Sequence, residues 1–496
     1  MTDNLAKTSI RGIGWTMLRV LGQTGIGFGV GIFLARTLEI KDFGLMAIAM
    51  SVIGLAELIS SLGVEASLIQ RPTLTRKHLE VAFTLSLLMA TLLLLLFWLA
   101  GPGMARFFDQ PALAQMLPVL GIGQWFATVA MVPRAALRRR FDFKLLSKIE
   151  LGAYLVGYAT LSVLLVLLGF GVWSLVIATC AWFFIASILM FLAANLSLRP
   201  GWGQDEVRDL LSFGLLMTSK SAINYAAVSS TNFIVGKFVG VHGLGLYARA
   251  EQVAMLPLQK IASVFSSVMF PVYSSIQNDK ERLAGAYLKT VAAVCLLTAP
   301  PMAVAAVFSE IVIIGLYGEK WTPAAGVFSI LCISSIFICV FHLAGALVEA
   351  TNHIWGEIKR QIVYFLIIVV GFYFAAQSGI IAVSLVFLFG ALFLYVAMGQ
   401  LSLKIIGRTW LDYLKVQAPG ILLALILAGI GLLALPQLNK LHELSHAIKL
   451  IIVVAGSATL YSLLIYLMPD RWVFGAKQMI LEKFLKKRTA SAASEA

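Results

Sequence analysis

Apolar runs long enough to cross a lipid bilayer follow one another along almost the whole chain. An α-helix needs about 20 apolar residues to cross the hydrocarbon core. Fourteen such runs, bounded by charged residues or by Gly and Pro, lie at residues 12–35, 43–66, 80–100, 113–133, 148–168, 172–194, 210–238, 244–270, 284–308, 324–347, 361–377, 380–402, 416–436 and 448–468. The sequence therefore predicts an all-α polytopic membrane protein with about 14 transmembrane helices. Because 60% of the residues are hydrophobic, a large soluble domain is excluded.

The chain resembles itself when it is moved by 201 residues. This shift places Gly44 on Gly245 and Arg19 on Lys220. It carries the first span onto the seventh, an even displacement, so the two halves have the same orientation in the membrane. Parallel repeats of this kind are a transporter architecture. We therefore expect two six-helix lobes related by a parallel internal repeat at residues 1–200 and 205–410, two appended helices at 411–470 and a basic cytoplasmic tail at 471–496.

The net charge of +14 comes from basic residues in short loops. If the N-terminus is cytoplasmic, 27 of the 38 Lys and Arg residues lie on the cytoplasmic side and 7 lie on the opposite side. The positive-inside rule then predicts that both termini are cytoplasmic. The basic residues form neither a patch nor a stripe, which argues against nucleic acid as a partner.

Four basic residues fall inside the predicted spans, where charge is costly and usually faces a cavity. Arg19 and Gln23 lie four residues apart and so share one helical face. Lys220 and Asn224 repeat this relation in the seventh span. A cationic cavity suits an anionic substrate, most simply a diphosphate or a carboxylated sugar. The predicted substrate-binding residues are Arg19, Gln23, Lys220, Asn224, Arg249 and Lys260.

Two of these charges also have a structural interpretation. Arg19 stands only about two turns into its span, from where its side chain could snorkel to the cytoplasmic surface. Arg249 could pair with Glu251 or with a neighbouring helix near the outer face. Both interpretations stay open at the level of sequence.

Three acidic residues within or near the spans are candidates for ion coupling. They are Glu57, Glu65 and Glu251. A carboxylate at membrane depth could carry a proton or hold Na⁺. For Glu57 and Glu65 the alternative is a salt bridge to Arg19 or to the loop that contains Arg71.

The sequence lacks the motifs of nucleotide binding and of serine hydrolases. It has no G-x-x-x-x-G-K-[ST] and no G-x-S-x-G. The Gly-rich run at 25–31 lies inside the first span without a preceding strand, so helix packing explains it better than phosphate binding. The four cysteines lie in apolar runs, with neither a C-x-x-C pair nor a His at ligand spacing. We therefore expect a transporter without a cofactor and without a metal, and not an enzyme.

Three segments carry a family resemblance. LARTLEIKDFGL at 34–45 and LISSLGVEASLIQR at 58–71 flank the second span, and YGEKWTPA at 317–324 precedes the tenth. They are similar to the turn between the first two spans, the end of span two and the Y-G-x-x-W segment of Wzx-type flippases. These flippases form the bacterial polysaccharide-transport family of the multidrug/oligosaccharidyl-lipid/polysaccharide superfamily. These motifs are most similar to those of exporters of colanic-acid and other exopolysaccharide type, and the resemblance covers about residues 1–470.

The resemblance implies two lobes of six helices that work by alternating access in the bacterial inner membrane. It implies a substrate, an undecaprenyl-diphosphate-linked oligosaccharide unit, that moves from the cytoplasmic to the periplasmic leaflet. Membrane lipids, a proton or Na⁺ as coupling ion, and a polysaccharide polymerase are the further expected partners. The family has no invariant catalytic motif, so the site residues rest on the charges described above.

Two other functions are alternatives to a flippase. A multidrug or organic-cation antiporter of the same superfamily should have a cavity of carboxylates and aromatic residues, and the basic residues of spans one and seven argue against it. A membrane glycosyltransferase or polymerase should carry catalytic acidic residues in a sizeable loop. The sequence has no such loop.

Overall fold

The computed structural model describes residues 2–469 apart from 62–63, 71–73, 197–198, 209, 211–224, 226–228 and 442–443. In this part of the chain the regular structure is helical throughout. The α-helices are α1 (Thr2–Thr37), α2 (Ile40–Ser61), α3 (Val64–Gln70), α4 (Arg76–Phe108), α5 (Ala112–Val129), α6 (Met131–Arg139), α7 (Phe143–Ala153), α8 (Leu161–Leu167), α9 (Trp173–Ala194), α10 (Val241–Ala254), α11 (Ser263–Ile276), α12 (Lys280–Val307), α13 (Ser309–Tyr317), α14 (Ala324–Ala350), α15 (Ile354–Ala375), α16 (Ile380–Ile406), α17 (Trp410–Lys440) and α18 (His446–Leu467).

The described helices account for most of the predicted spans. Twelve are long and apolar enough to cross a membrane, and a thirteenth span is formed if the pair Val241–Ala254 and Leu258–Ile276, bent by 41°, is taken as one. The all-helical membrane class is therefore confirmed. The predicted seventh span, 210–238, lies mostly outside the described residues, so the number fourteen stays a prediction.

Two spans change their helical period. A turn of π-helix at Tyr154–Thr160 joins α7 to α8, and a second at Leu258–Ala262 follows Pro257 and precedes α11. A π-turn inserts an extra residue and bends a helix. The second one lies at the 41° break, where Pro257 also removes a backbone donor.

Local signals end and begin the helices. Gly407 has a φ of 65° and terminates α16, a conformation that costs glycine little. At the start of α17 the Thr409 side chain accepts from the backbone of Asp412, and the Asp412 carboxylate accepts from the backbone N–H of Thr409. This capping box fixes the entry to a 31-residue helix.

The chain divides into two compact units, Met1–Ala248 and Arg249–Ala496. In the first unit α4 packs along α5, and α5 packs against α9. In the second, α12 packs against α17 and α14, and α14 packs against α16. The boundary between the units lies within α10, whereas the predicted lobes meet near residue 200. The predicted domain bounds stay a prediction.

Within the first unit α2 and α10 cross at their first turns. A Cβ atom added to Gly44 would overlap the carbonyl oxygen of Val241, and one added to Gly245 would overlap the carbonyl oxygen of Ile40. The shift of 201 residues exchanges Ile40 with Val241 and Gly44 with Gly245. A reciprocal contact is what a two-fold axis produces between equivalent surfaces, so the crossing supports the internal repeat.

Candidate functional site

Arg19 and Gln23 point to the same partner, as their spacing on α1 predicts. The Arg19 guanidinium forms an ion pair with the Glu150 carboxylate of α7. Gln23 donates from its side-chain amide to the backbone carbonyl of Glu150, at 3.2 Å. The Arg19 and Glu150 side chains are 20% and 13% exposed. Arg19 is therefore a largely buried cation whose charge is offset by a neighbouring carboxylate.

Two more arginines stand close to this pair. Arg134 and Arg138 of α6 are near enough for their charges to act on Arg19. Arg138 also forms a salt bridge of 2.8 Å with Glu65 of α3. We call Arg19, Arg134 and Arg138, with the carboxylates Glu65 and Glu150, the arginine cluster. Three guanidinium groups against two carboxylates leave it with a net charge of +1.

The arginine cluster contains hydrogen-bond donors that nothing satisfies in the described part of the chain. The Nε atoms of Arg19 and Arg134 are buried there without an acceptor. Each such donor costs desolvation free energy until an acceptor reaches it. Because arginine binds phosphate with two parallel N–H groups, the cluster offers both the charge and the unused donors that a phosphate oxygen requires.

The rest of the basic segment at the end of α6 is tied to the backbone. Arg139 donates to the carbonyl oxygen of Leu68 at 3.0 Å, and Arg140 donates to that of Ala194 at 2.9 Å. These bonds hold α6 against α3 and α9. Arg139 and Arg140 therefore stabilise the fold, whereas Arg134 and Arg138 belong to the arginine cluster.

The other predicted binding residues are not members of the arginine cluster or lie outside the described residues. Arg249 donates to the Gln252 side chain at 2.6 Å and also hydrogen-bonds Tyr317, at the end of α13. Burial raises the pKa of Tyr317, and the nearby Arg249 charge opposes that rise. Lys260 lies in the π-helical segment of the bent span. Lys220 and Asn224 lie outside the described residues, so their predicted role in binding stays a prediction.

The three acidic candidates have different surroundings. The partner of Glu65 is Arg138, and not Arg19 as one sequence interpretation supposed; Arg71 lies outside the described residues. Glu57 is exposed on α2, and Glu251 is partly buried on α10. Among the described residues, no group of three His, Cys, Asp or Glu side chains could hold a metal ion.

A second feature of the first unit is a line of contacts along one face of α2. Asn232 donates to the Ser51 hydroxyl at 2.8 Å, and Tyr225 donates to the Ser51 carbonyl at 2.7 Å. One turn on, a Cβ atom on Gly54 would overlap the Tyr225 hydroxyl. We call these contacts, together with the Gly44 and Gly245 crossing, the α2 seam. It joins α2 to Tyr225, to Asn232 and to the first turn of α10.

Sequence reasoning missed three members of the arginine cluster. Arg134 and Arg138 were assigned to a loop because the predicted span ended at residue 133, whereas the structure continues that span to Arg139. Glu150 lies just inside the predicted fifth span but was given no role. An acidic residue at membrane depth was the available signal; its pairing with Arg19 depends on the contact between α1 and α7.

Comparisons with known proteins agree with the fold. A model of the polysaccharide biosynthesis protein family matches residues 33–326. The lipopolysaccharide biosynthesis protein WzxC of Escherichia coli (strain K12) is 24% identical over 395 residues, which cover 78% of this chain and 79% of WzxC. The succinoglycan biosynthesis transport protein ExoT of Rhizobium meliloti (strain 1021) is 25% identical over 333 residues, 66% of each chain.

A solved structure shows the same fold. The lipid II flippase MurJ, in an inward closed conformation, superimposes with a TM-score of 0.73 over 94% of this chain and 100% of that chain. The sequences are 12% identical. This likeness concerns the arrangement of the helices and not the substrate.

The helices and the relatives define a multi-pass bacterial inner-membrane protein of the transporter class, and not an enzyme. The family model covers more than half of the chain. The chain belongs to the polysaccharide biosynthesis protein family, with Wzx-type exporters among its relatives. The sequence-based assignment to this group is confirmed.

Proposed function

We propose that the protein is a flippase for undecaprenyl-diphosphate-linked oligosaccharide repeat units. It moves these precursors of exopolysaccharide, O-antigen or capsule from the cytoplasmic to the periplasmic leaflet. The printed names of WzxC and ExoT, a lipopolysaccharide and a succinoglycan protein, support a polysaccharide precursor as substrate. The fold shared with a lipid II flippase supports a lipid-linked one.

The observation that carries the proposal is the arginine cluster with its unused donors. A diphosphate presents several anionic oxygens, which match the Nε atoms of Arg19 and Arg134. In the state described here Glu150 neutralises Arg19. A diphosphate carries more negative charge than the carboxylate that it replaces, so the arginines attract it. Without substrate, Glu150 keeps the Arg19 charge paired.

The proposed orientation has both termini in the cytoplasm. The excess of basic residues on one side of the membrane supports it. Arg19, in the N-terminal part of the first span, and Arg134, near the end of the fourth, then lie toward the cytoplasm. That is the side from which the substrate enters.

Transport by alternating access requires an opening toward the periplasm. In the proposed orientation, the first turns of α2 and α10 lie at the periplasmic ends of their spans. The α2 seam therefore closes this end of the first unit, and it has to part for the substrate to leave. A hydrogen-bonded seam with few long side chains can part at modest cost.

A coupling ion and a downstream enzyme complete the proposal. Glu65 is held by Arg138 and Glu57 is exposed. Glu251, partly buried, is therefore the candidate we favour for a proton or Na⁺. The product in the outer leaflet is the substrate that a polysaccharide polymerase consumes, which makes such a polymerase a functional partner.

The test is the accumulation of lipid-linked oligosaccharide in a strain that lacks the protein. We expect wild type to clear the cytoplasmic leaflet and Arg19→Ala and Arg134→Ala to clear it at least about tenfold more slowly, since a charged hydrogen bond contributes about 1.5–3 kcal/mol. The matched control is Arg76→Ala, because Arg76 is 68% exposed and pairs with Glu80. All variants are compared at equal membrane abundance.

Each outcome of this assay decides a separate claim. Full clearance by both cluster variants would show that the arginines are structural. A deletion strain without accumulation would contradict the flippase function itself. Loss of clearance in the Arg76 variant as well would mean that the effect is not specific to the arginine cluster.

A further inference from the structure

A cavity of about 520 Å³ lies in the second unit, between α13, the short helical turn Glu319–Trp321 and the ends of α17 and α18. Its size falls in the range of about 300–1,000 Å³ that is typical of ligand sites. The lining residues are Glu310, Ile311, Glu319, Asn439, Leu444, Ser445, His446 and Lys449. None of the predicted substrate-binding or coupling residues is among them.

Lys449 is the unusual member of this lining. It is only 5% exposed, yet the described residues offer its ammonium group no salt-bridge partner. A buried ammonium without a counter-charge is costly. Lys449 also lies in the first turn of α18, where Ser445 accepts from the N–H groups of Ile448 and Lys449 and the N–H groups of His446 and Ala447 have no partner within the helix, so this turn favours an anion. The inner end of the cavity is therefore built for negative charge.

The opposite side of the cavity carries the opposite charge. Glu310 and Glu319 are exposed carboxylates on α13 and on the short turn that follows it. Close packing holds the two sides together, since a Cβ atom on Gly315 would lie 3.0 Å from the His446 carbonyl oxygen. Beneath the cavity, Phe308, Ile311 and Val453 form an apolar core. Lys449, Glu310 and Glu319 thus line the same pocket with opposite charges.

This charge pattern selects among ligands. Glu310 and Glu319 would repel a purely anionic headgroup, and Lys449 would repel a purely cationic one. A group with a phosphate at one end and a primary ammonium at the other satisfies both sides. The cavity opens where α17 ends and α18 begins, and α18 presents exposed apolar side chains such as Ile448 and Ile451 to the bilayer.

We propose that this cavity binds the headgroup of phosphatidylethanolamine. Lys449 and the first turn of α18 bind the phosphate, and Glu310 and Glu319 accept hydrogen bonds from the ammonium. The acyl chains lie along the exposed apolar face of α18. This lipid is a bound structural partner, distinct from the transported substrate, so the proposal does not depend on the flippase function.

The experiment measures the unfolding temperature of the full chain, purified without lipid, after addition of defined lipids. We expect phosphatidylethanolamine to raise this temperature by about 2–3 °C at saturation. Phosphatidylcholine, whose ammonium has no N–H, and the anionic phosphatidylglycerol should raise it less. Lys449→Met should abolish the advantage of phosphatidylethanolamine, while Lys440→Met, an exposed lysine near the same surface, should keep it.

A second variant covers the case in which Lys449→Met does not fold. Glu319→Gln changes an exposed side chain, and it should remove the preference for phosphatidylethanolamine over phosphatidylcholine. The proposal is overturned if Lys449→Met or Glu319→Gln keeps the full preference, or if phosphatidylglycerol protects as well as phosphatidylethanolamine. Equal protection by soluble phosphoethanolamine would overturn the lipid as the source of the headgroup.

Discussion

At the scale of single residues, the pair of Arg19 and Glu150 shows what sequence could and could not supply. Sequence identified Arg19 and Gln23 because a charge at membrane depth and a spacing of four residues are visible in one helix. Glu150 completes the pair from another helix. No local pattern records that contact, because the two residues come together only when α1 packs against α7.

The energetic coupling of this pair can be measured. Glu150→Gln leaves Arg19 without its carboxylate, and we expect a loss of about 1–3 kcal/mol in the free energy of unfolding, less than for a fully buried pair because both side chains retain some exposure. Arg19→Met combined with Glu150→Gln should recover much of this loss. Thermal unfolding of the two single variants and the double variant measures the coupling. Strictly additive losses would show that the pair does not interact.

The surroundings of Lys449, near the other end of the chain, also depend on contacts between helices that the sequence does not show. Counting charges by loop assigns Lys449 to the seven basic residues of the outer side. The structure buries it, because Gly315 lets α13 approach the first turn of α18 closely. The sequence predicted the side of the membrane on which Lys449 lies but not the residues that surround it.

At the scale of elements, apolar runs bounded by charged residues or by Gly and Pro were enough to predict most helices, since each span has to satisfy its backbone within itself. The ends of the helices were harder to predict. The fourth span continues past the predicted residue 133 through α6, which turns two supposed loop arginines into site residues. The π-helical turns at Tyr154–Thr160 and Leu258–Ala262 have no comparable sequence signal, apart from Pro257 before the second.

The crossing of α2 and α10 gives a prediction at this scale. Gly44→Ala places a methyl group against the Val241 carbonyl oxygen. We expect the helices to separate at a cost of about 1–3 kcal/mol. Gly29→Ala is the control, because Gly29 is exposed on α1 and a Cβ atom there has open space. The unfolding temperatures of the two variants are compared; equal values would mean that the crossing contributes no stability.

At the scale of the whole molecule, the internal repeat stays a prediction, and one contact supports it. The shift of 201 residues was found from scattered identities, and it reappears as the reciprocal contact of Gly44 and Gly245. The compact units nevertheless divide within α10. A sequence repeat marks duplicated helices, whereas compactness depends on which helices are packed in one state of the molecule. The α2 seam binds Tyr225, Asn232 and the first turn of α10 to the first unit in the state described here.

The most direct test of alternating access is to lock the α2 seam. Ser51→Cys and Asn232→Cys are introduced together, with the four native cysteines replaced by Ala, since these two side chains are in hydrogen-bond contact. Clearance of lipid-linked oligosaccharide is then measured before oxidation, after oxidation and after reduction. We expect the disulfide to stop clearance, reduction to restore it, and either cysteine alone to have no effect. Clearance at the unoxidised rate by a protein shown to be fully cross-linked would contradict this expectation.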